Sequence, residues 1–118
     1  MATGYDILKW IKRYDDKLGG SFLEDWEIDF YPMCYVFPDG SLFTYTIFEN
    51  YLEVGPVSFE FWEAWPTINA IAKSYGLKEV ATVTPRNPEA YCRLTGAKWT
   101  ESKFVGGKWL HRMIKEVE

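Results

Sequence analysis

Between Tyr5 and Leu18 the apolar positions Ile7, Ile11, Tyr14 and Leu18 recur at steps of four, three and four, and Leu8 and Trp10 widen the stripe. That spacing predicts an amphipathic helix whose stripe packs on a sheet. Thr3 is suited to cap its start, and Gly19 and Gly20 stop it. Lys9, Lys12, Arg13 and Lys17 make the remaining surface basic. It reads as a solvated face before it reads as a binding patch. From Ser21 to Tyr31 the chain is acidic and aromatic with no sustained period, a connection with one helical turn around Leu23 to Trp26.

The period then becomes that of strands. Met33 to Phe37, the turn Pro38-Asp39-Gly40 and Leu42 to Phe48 form a hairpin. Glu49 and Asn50 turn the chain into a third strand, Tyr51 to Val57, which completes a meander. From Ser58 the stripe Phe61, Trp65, Ile68, Ala72 and Tyr75 is helical and ends at Gly76. Pro66 lacks a donor, so either that helix kinks or a short turn precedes a helix whose first residue is Pro66. Glu79 to Thr84 is a short β-branched strand closed by Pro85, Pro88 to Thr95 a helix ended by Gly96. Lys98 to Phe104, the turn Val105-Gly106-Gly107 and Lys108 to Lys115 form a last hairpin.

Composition narrows the class. At 118 residues, 47% hydrophobic and 25% charged, residues 1–118 read as a single domain with one core. Its 6 Trp, 8 Tyr and 8 Phe are large packing units, and rings left over on the surface would mark partner sites. A net charge of −4 argues against nucleic acid as a partner. No apolar run approaches membrane-spanning length. Nothing at the N-terminus reads as a signal peptide, so Cys34 and Cys92 are expected to be reduced, buried thiols in a cytoplasmic protein. The lone His111 has no second ligand at metal spacing.

The order helix, three-strand meander, long helix, strand, short helix, hairpin resembles the core of the GNAT N-acetyltransferases, with the first strand and one early helix missing or disguised. The stretch Glu79-Val-Ala-Thr-Val-Thr-Pro-Arg-Asn-Pro-Glu-Ala-Tyr-Cys-Arg-Leu-Thr-Gly-Ala-Lys-Trp99 strengthens this, because it is similar to that family's strand, Asn, helix and small-residue turn. The likeness covers roughly residues 33 to 115. It implies an α/β (α+β) fold with a mixed, mainly antiparallel sheet flanked by helices and a shortened N-terminus.

The same resemblance says where function would sit. In active members a Gly-rich loop before the long helix offers backbone N–H groups to the acetyl-CoA diphosphate. Here the equivalent run is Val54-Gly55-Pro56-Val57-Ser58-Phe59-Glu60-Phe61-Trp62, with one Gly, a donorless Pro, and Glu60 and Glu63 where the diphosphate would lie. If the protein were active, Val54, Gly55 and Asn87 would contact the cofactor, Glu49 or Glu53 would serve as general base, and Tyr91 would serve as the acid. The plain alternatives are solvent-face carboxylates for Glu49 and Glu53, a helix cap for Asn87, and packing for Cys92, which occupies the position of the family's acid. Degenerate GNAT-like proteins of tailed phages look similar. They imply a non-catalytic virion or assembly component with no cofactor, located in the host cytoplasm or the virion, that binds phage structural proteins. Its anchors would be Tyr51, Phe59 and Trp62, rings at or beside the start of the long helix. An active acetyltransferase that uses acetyl-CoA is the alternative.

Overall fold

A computed structural model describes residues 1–118. It contains four helices and six strands, and the strands hydrogen-bond in the order β1-β2-β3-β4-β6-β5. The architecture is the expected mixed α+β one, with a mostly antiparallel sheet. The chain divides into two compact units, one of residues Met1–Thr46 and Val54–Ala64, the other of Ile47–Glu53 and Trp65–Glu118.

The first unit opens with α1 (Gly4–Leu18), capped as its sequence asks. Thr3 accepts from the Asp6 N–H while the Asp6 carboxylate accepts from the Thr3 N–H, and Gly19 ends the helix at φ 67°. The expected docking needs correction, since no residue of α1 is fully buried and Leu18 is 37% exposed. The helix is held instead by individual contacts along its stripe. Trp10 Nε1 donates to the Asp39 carbonyl at 3.0 Å. The Tyr14 hydroxyl donates to Asp25 at 2.9 Å. Near its start the helix backbone rests on the hairpin turn, where a Cβ on Gly40 (φ 90°) would lie 2.6 Å from the Asp6 carbonyl carbon.

The helical turn expected at Leu23–Trp26 is α2 (Phe22–Asp25), one residue earlier because Ser21 caps it. It buries Phe22 completely against the Tyr14 ring, 5.0 Å between centroids. The strand β1 (Met33–Val36) pairs antiparallel with β2 (Leu42–Ile47), Met33 opposite Tyr45 and Val36 opposite Leu42. Because β1 is an end strand, Cys34 is exposed, contrary to the buried thiol expected of it. The buried residues here include Phe22, Leu42, Phe43, Thr44 and Val54.

Three elements cross the division: β2, whose last residue Ile47 falls in the second unit, β3 (Tyr51–Val57), and α3 (Phe61–Ser74), which starts before Pro66 and so carries that proline inside. Tyr75 falls beyond the helix end and is 58% exposed, so the buried stripe stops at Ala72. In the second unit β4 (Glu79–Thr84) pairs antiparallel with β6 (Lys108–Glu116), and β6 pairs with β5 (Lys98–Val105). The hairpin turn is Gly106-Gly107, both at positive φ (59° and 82°), the backbone that a two-residue type I′ turn demands. The helix α4 (Pro88–Thr95) ends at Gly96. Ile68, Ala72, Val80, Ala81, Tyr91 and Met113 form the core of this unit.

Candidate functional site

The segment from β3 to α3 is where the sequence departs most from an anion-binding loop, and in the first unit its groups are engaged by the chain itself. Val54 is buried. The Pro56 carbonyl accepts from Thr44 Oγ1 at 3.2 Å. Ser58 uses both its polar groups on Leu42: its N–H donates to the Leu42 carbonyl at 2.9 Å, and its hydroxyl accepts the Leu42 N–H at 2.9 Å. Phe59 is half-buried, its ring edge-on to Phe37 at 5.3 Å and to Trp10 at 6.1 Å. The Glu60 carbonyl accepts from the Glu63 and Ala64 N–H groups, which puts Glu60 at the mouth of α3, and its carboxylate pairs with Lys17 from α1. A carboxylate there is favoured by the helix dipole, and only 19% of its side chain is exposed. Trp62, the second residue of α3, is half-buried.

Glu53 and Tyr51 belong to the second unit. Glu53 is buried to 8% and lies 4.0 Å from the Arg112 guanidinium of β6. That guanidinium stands 5.5 Å over the Tyr51 ring, which stacks on Phe48 at 4.9 Å. Beside them is an open groove of about 260 Å³, lined by Glu53, Val83, Glu101, Lys103, Leu110 and Arg112. Glu49 is exposed in the turn between β2 and β3. At α4, Asn87 Oδ1 accepts from the Ala90 N–H at 3.0 Å, the ordinary work of an N-cap. Tyr91 is buried, and the Thr95 hydroxyl donates to its carbonyl at 2.8 Å. Cys92, half-buried, sets its sulfur 3.6 Å from Met113 Sδ.

The expected residues therefore fall into two sets: Glu49, Tyr51, Glu53, Asn87 and Tyr91 in the second unit, and Val54, Gly55, Phe59 and Trp62 in the first. Sequence reasoning missed Lys17, which it left on a solvated face, and Arg112. It also missed Ser102 Oγ, which lies 2.7 Å from His111 Nδ1 and accepts from Trp99 Nε1 at 2.9 Å. The glycine turn carries the signal for that last pair, since counting outward from Gly106-Gly107 sets Ser102 opposite His111. No group of His, Cys, Asp and Glu is arranged to hold a metal ion, and no helix is long and apolar enough to cross a membrane.

No family model matches the sequence, and no curated protein matches it either. Solved structures do share its fold. One is a GNAT family acetyltransferase from Elizabethkingia anophelis with acetyl-CoA bound, aligned over 98% of this chain and 92% of its own at 12% identity with a TM-score of 0.58. Another, described as a candidate acetyltransferase from Agrobacterium tumefaciens, aligns over 71% of this chain and 72% of its own at 14% identity with a TM-score of 0.51. The fold is that of the GNAT acetyltransferases.

Proposed function

We propose that the chain is a GNAT-fold domain that has given up acyl-CoA binding and acts through protein–protein contact. The observation that carries this reading is the occupancy of the β3–α3 turn by the chain's own side chains: Phe59 among Trp10 and Phe37, and the Glu60 carboxylate, paired with Lys17, at the mouth of α3. The residues present do not suit a diphosphate. Pro56 has no N–H, the Ser58 N–H is given to Leu42, and a second anion would meet the Glu60 charge. Fold alone does not decide activity, because function lies in the site. The resemblance to tailed-phage proteins supplies the setting: a virion or assembly role in the host cytoplasm or particle, with Phe59 and Trp62 as anchors of the first unit and Tyr51, taken by itself, as an anchor of the second.

Calorimetric titration with acetyl-CoA tests this. Binding no tighter than roughly millimolar, about −4 kcal/mol, is the expected outcome. A micromolar constant would overturn the proposal and restore the enzyme reading, for which the buried Glu53 beside Arg112 is the best-placed base. Glu49, Glu53 and Tyr91 would then be replaced one by one and assayed for acetyl transfer to an amine.

A further inference from the structure

The strand β5 lies at an end of the sheet, with β6 on one side and no strand on the other. Seven of its eight residues are exposed. It also exposes large apolar side chains, with Trp99, Phe104 and Val105 at 47%, 61% and 53% exposure and Trp109 beside them at 56%. An uncovered edge of this kind offers a row of backbone donors and acceptors to another strand.

The hairpin turn tells which residues offer them. In a two-residue hairpin the flanking pair, here Val105 and Lys108, exchanges backbone hydrogen bonds, and hydrogen-bonded pairs alternate from there. Val105, Lys103 and Glu101 therefore direct their N–H and C=O groups toward β6, and Phe104 and Ser102 direct theirs to the open edge. At Thr100 the pairing is irregular, and its hydroxyl donates to the Arg112 carbonyl at 3.2 Å.

A second β5 pairing antiparallel about a two-fold axis must match outward-directed residues with outward-directed residues. The registers that keep the strands well overlapped are centred on Glu101, Ser102 or Lys103. The first opposes Glu101 to Glu101 and the last opposes Lys103 to Lys103, both unfavourable. The register centred on Ser102 sets Glu101 against Lys103 twice, with no like-charge pair. Glu101, Lys103 and Val105 all line one groove and so share a face of the sheet, where cross-strand neighbours meet. Lys103 and the irregularity at Thr100 guard this edge against strands of other sequence. Against its own copy, Lys103 is an attraction.

We infer that a second copy of this chain docks on β5, by antiparallel pairing of the two β5 strands centred on Ser102 with reciprocal Glu101–Lys103 contacts. Sedimentation equilibrium over roughly a hundredfold range of protein concentration tests it. The expected result is a concentration-dependent dimer that Glu101→Lys or Lys103→Glu weakens by about tenfold or more and the double exchange Glu101→Lys/Lys103→Glu restores. Both side chains are exposed, and circular dichroism checks that each variant folds. A monomer throughout the range, a dimer indifferent to the single exchanges, or a double exchange that fails to restore it would each overturn the inference. Hydrogen exchange on the unaltered chain gives an independent reading. The Ser102 amide should slow as concentration rises while the Lys103 amide stays constant, and an amide at 102 that ignores concentration would equally overturn it.

Discussion

Gly55→Ala separates a packing role for this glycine from a ligand-binding one. In an acyl-CoA loop a glycine serves to let a cofactor approach, and replacing it costs affinity while the fold survives. Here a Cβ at position 55 would lie inside van der Waals contact of Thr44 Oγ1 and 2.8 Å from two ring carbons of Tyr31. Gly55 is not at positive φ, so the conformation itself would suit alanine. Left-handed strain is therefore absent, and relief of unfolded-chain entropy would by itself stabilise the variant by about 0.5–1 kcal/mol. Against that stands overpacking of about 1–3 kcal/mol, because Thr44 is fully buried and its hydroxyl is bonded to the Pro56 carbonyl. If Thr44 turns away, that bond is lost for about 1 kcal/mol more. The steric terms win, and the net is a destabilisation of about 2 kcal/mol, which for a chain of this length lowers the melting temperature by roughly 8 °C. Urea unfolding followed by tryptophan fluorescence measures it, and a cycle with Thr44→Ala should show coupling of about 0.5 kcal/mol or more between the sites. A Gly55→Ala protein as stable as the parent, or more so, would refute the packing argument.

Trp62→Ala should leave circular dichroism intact and weaken co-assembly with a purified partner; loss of the fold would place Trp62 in the core and remove it from the proposed surface. Asn87→Ala should cost about 1 kcal/mol by uncapping α4, seen as a lower urea midpoint. The hydroxyl and the N–H of Ser41 hold the Asp39 carboxyl below its ordinary 3.8. Because the folded value is the depressed one, this contribution is fully present above about pH 3.8 and is lost as the pH falls through the folded-state value. Asp39→Asn should therefore be less stable than the parent at neutral pH, with the difference closing as the pH falls below 3.8, as followed by urea unfolding across that range.

Where local chemistry and tertiary environment agree, the sequence was enough. The strands Tyr51–Val57 and Glu79–Thr84 and the helix Pro88–Thr95 have the expected ends, because caps, glycines and prolines punctuate them locally. Thr3 and Gly19 bound α1 for the same reason. What periodicity could not tell was how deeply a stripe is buried, which depends on what lies opposite. Ile7, Ile11 and Tyr14 have helical spacing yet are only half-buried. Cys34 is exposed because its strand ends the sheet, a property of strand order that no residue near it encodes. The candidate site was legible in its exclusions, Pro56 and Glu60 above all. The partners that fill it, Lys17 and Trp10 from α1 and Phe37 from the end of β1, come from distant parts of the chain, and no local pattern brings them together.

The placement of β6 has a consequence for how the chain is made. It is the last strand in sequence but an interior one in the sheet, with β4 on one side and β5 on the other. During vectorial synthesis β4 emerges well before β6, so the edge that will take residues His111 to Glu116 stays open while α4 and β5 are added. That edge carries Val80 and Ala81, which are fully covered in the finished fold. The nascent chain therefore passes through an interval in which an apolar, β-branched strand is unpaired, the condition under which stray strand pairing and chaperone capture occur. Once Gly106-Gly107 has left the ribosome the hairpin can close locally, within about 1–10 μs, and offer β6 to the waiting edge. The two-glycine turn thereby adds almost nothing to an exposure whose length is set by the synthesis of α4, β5 and β6.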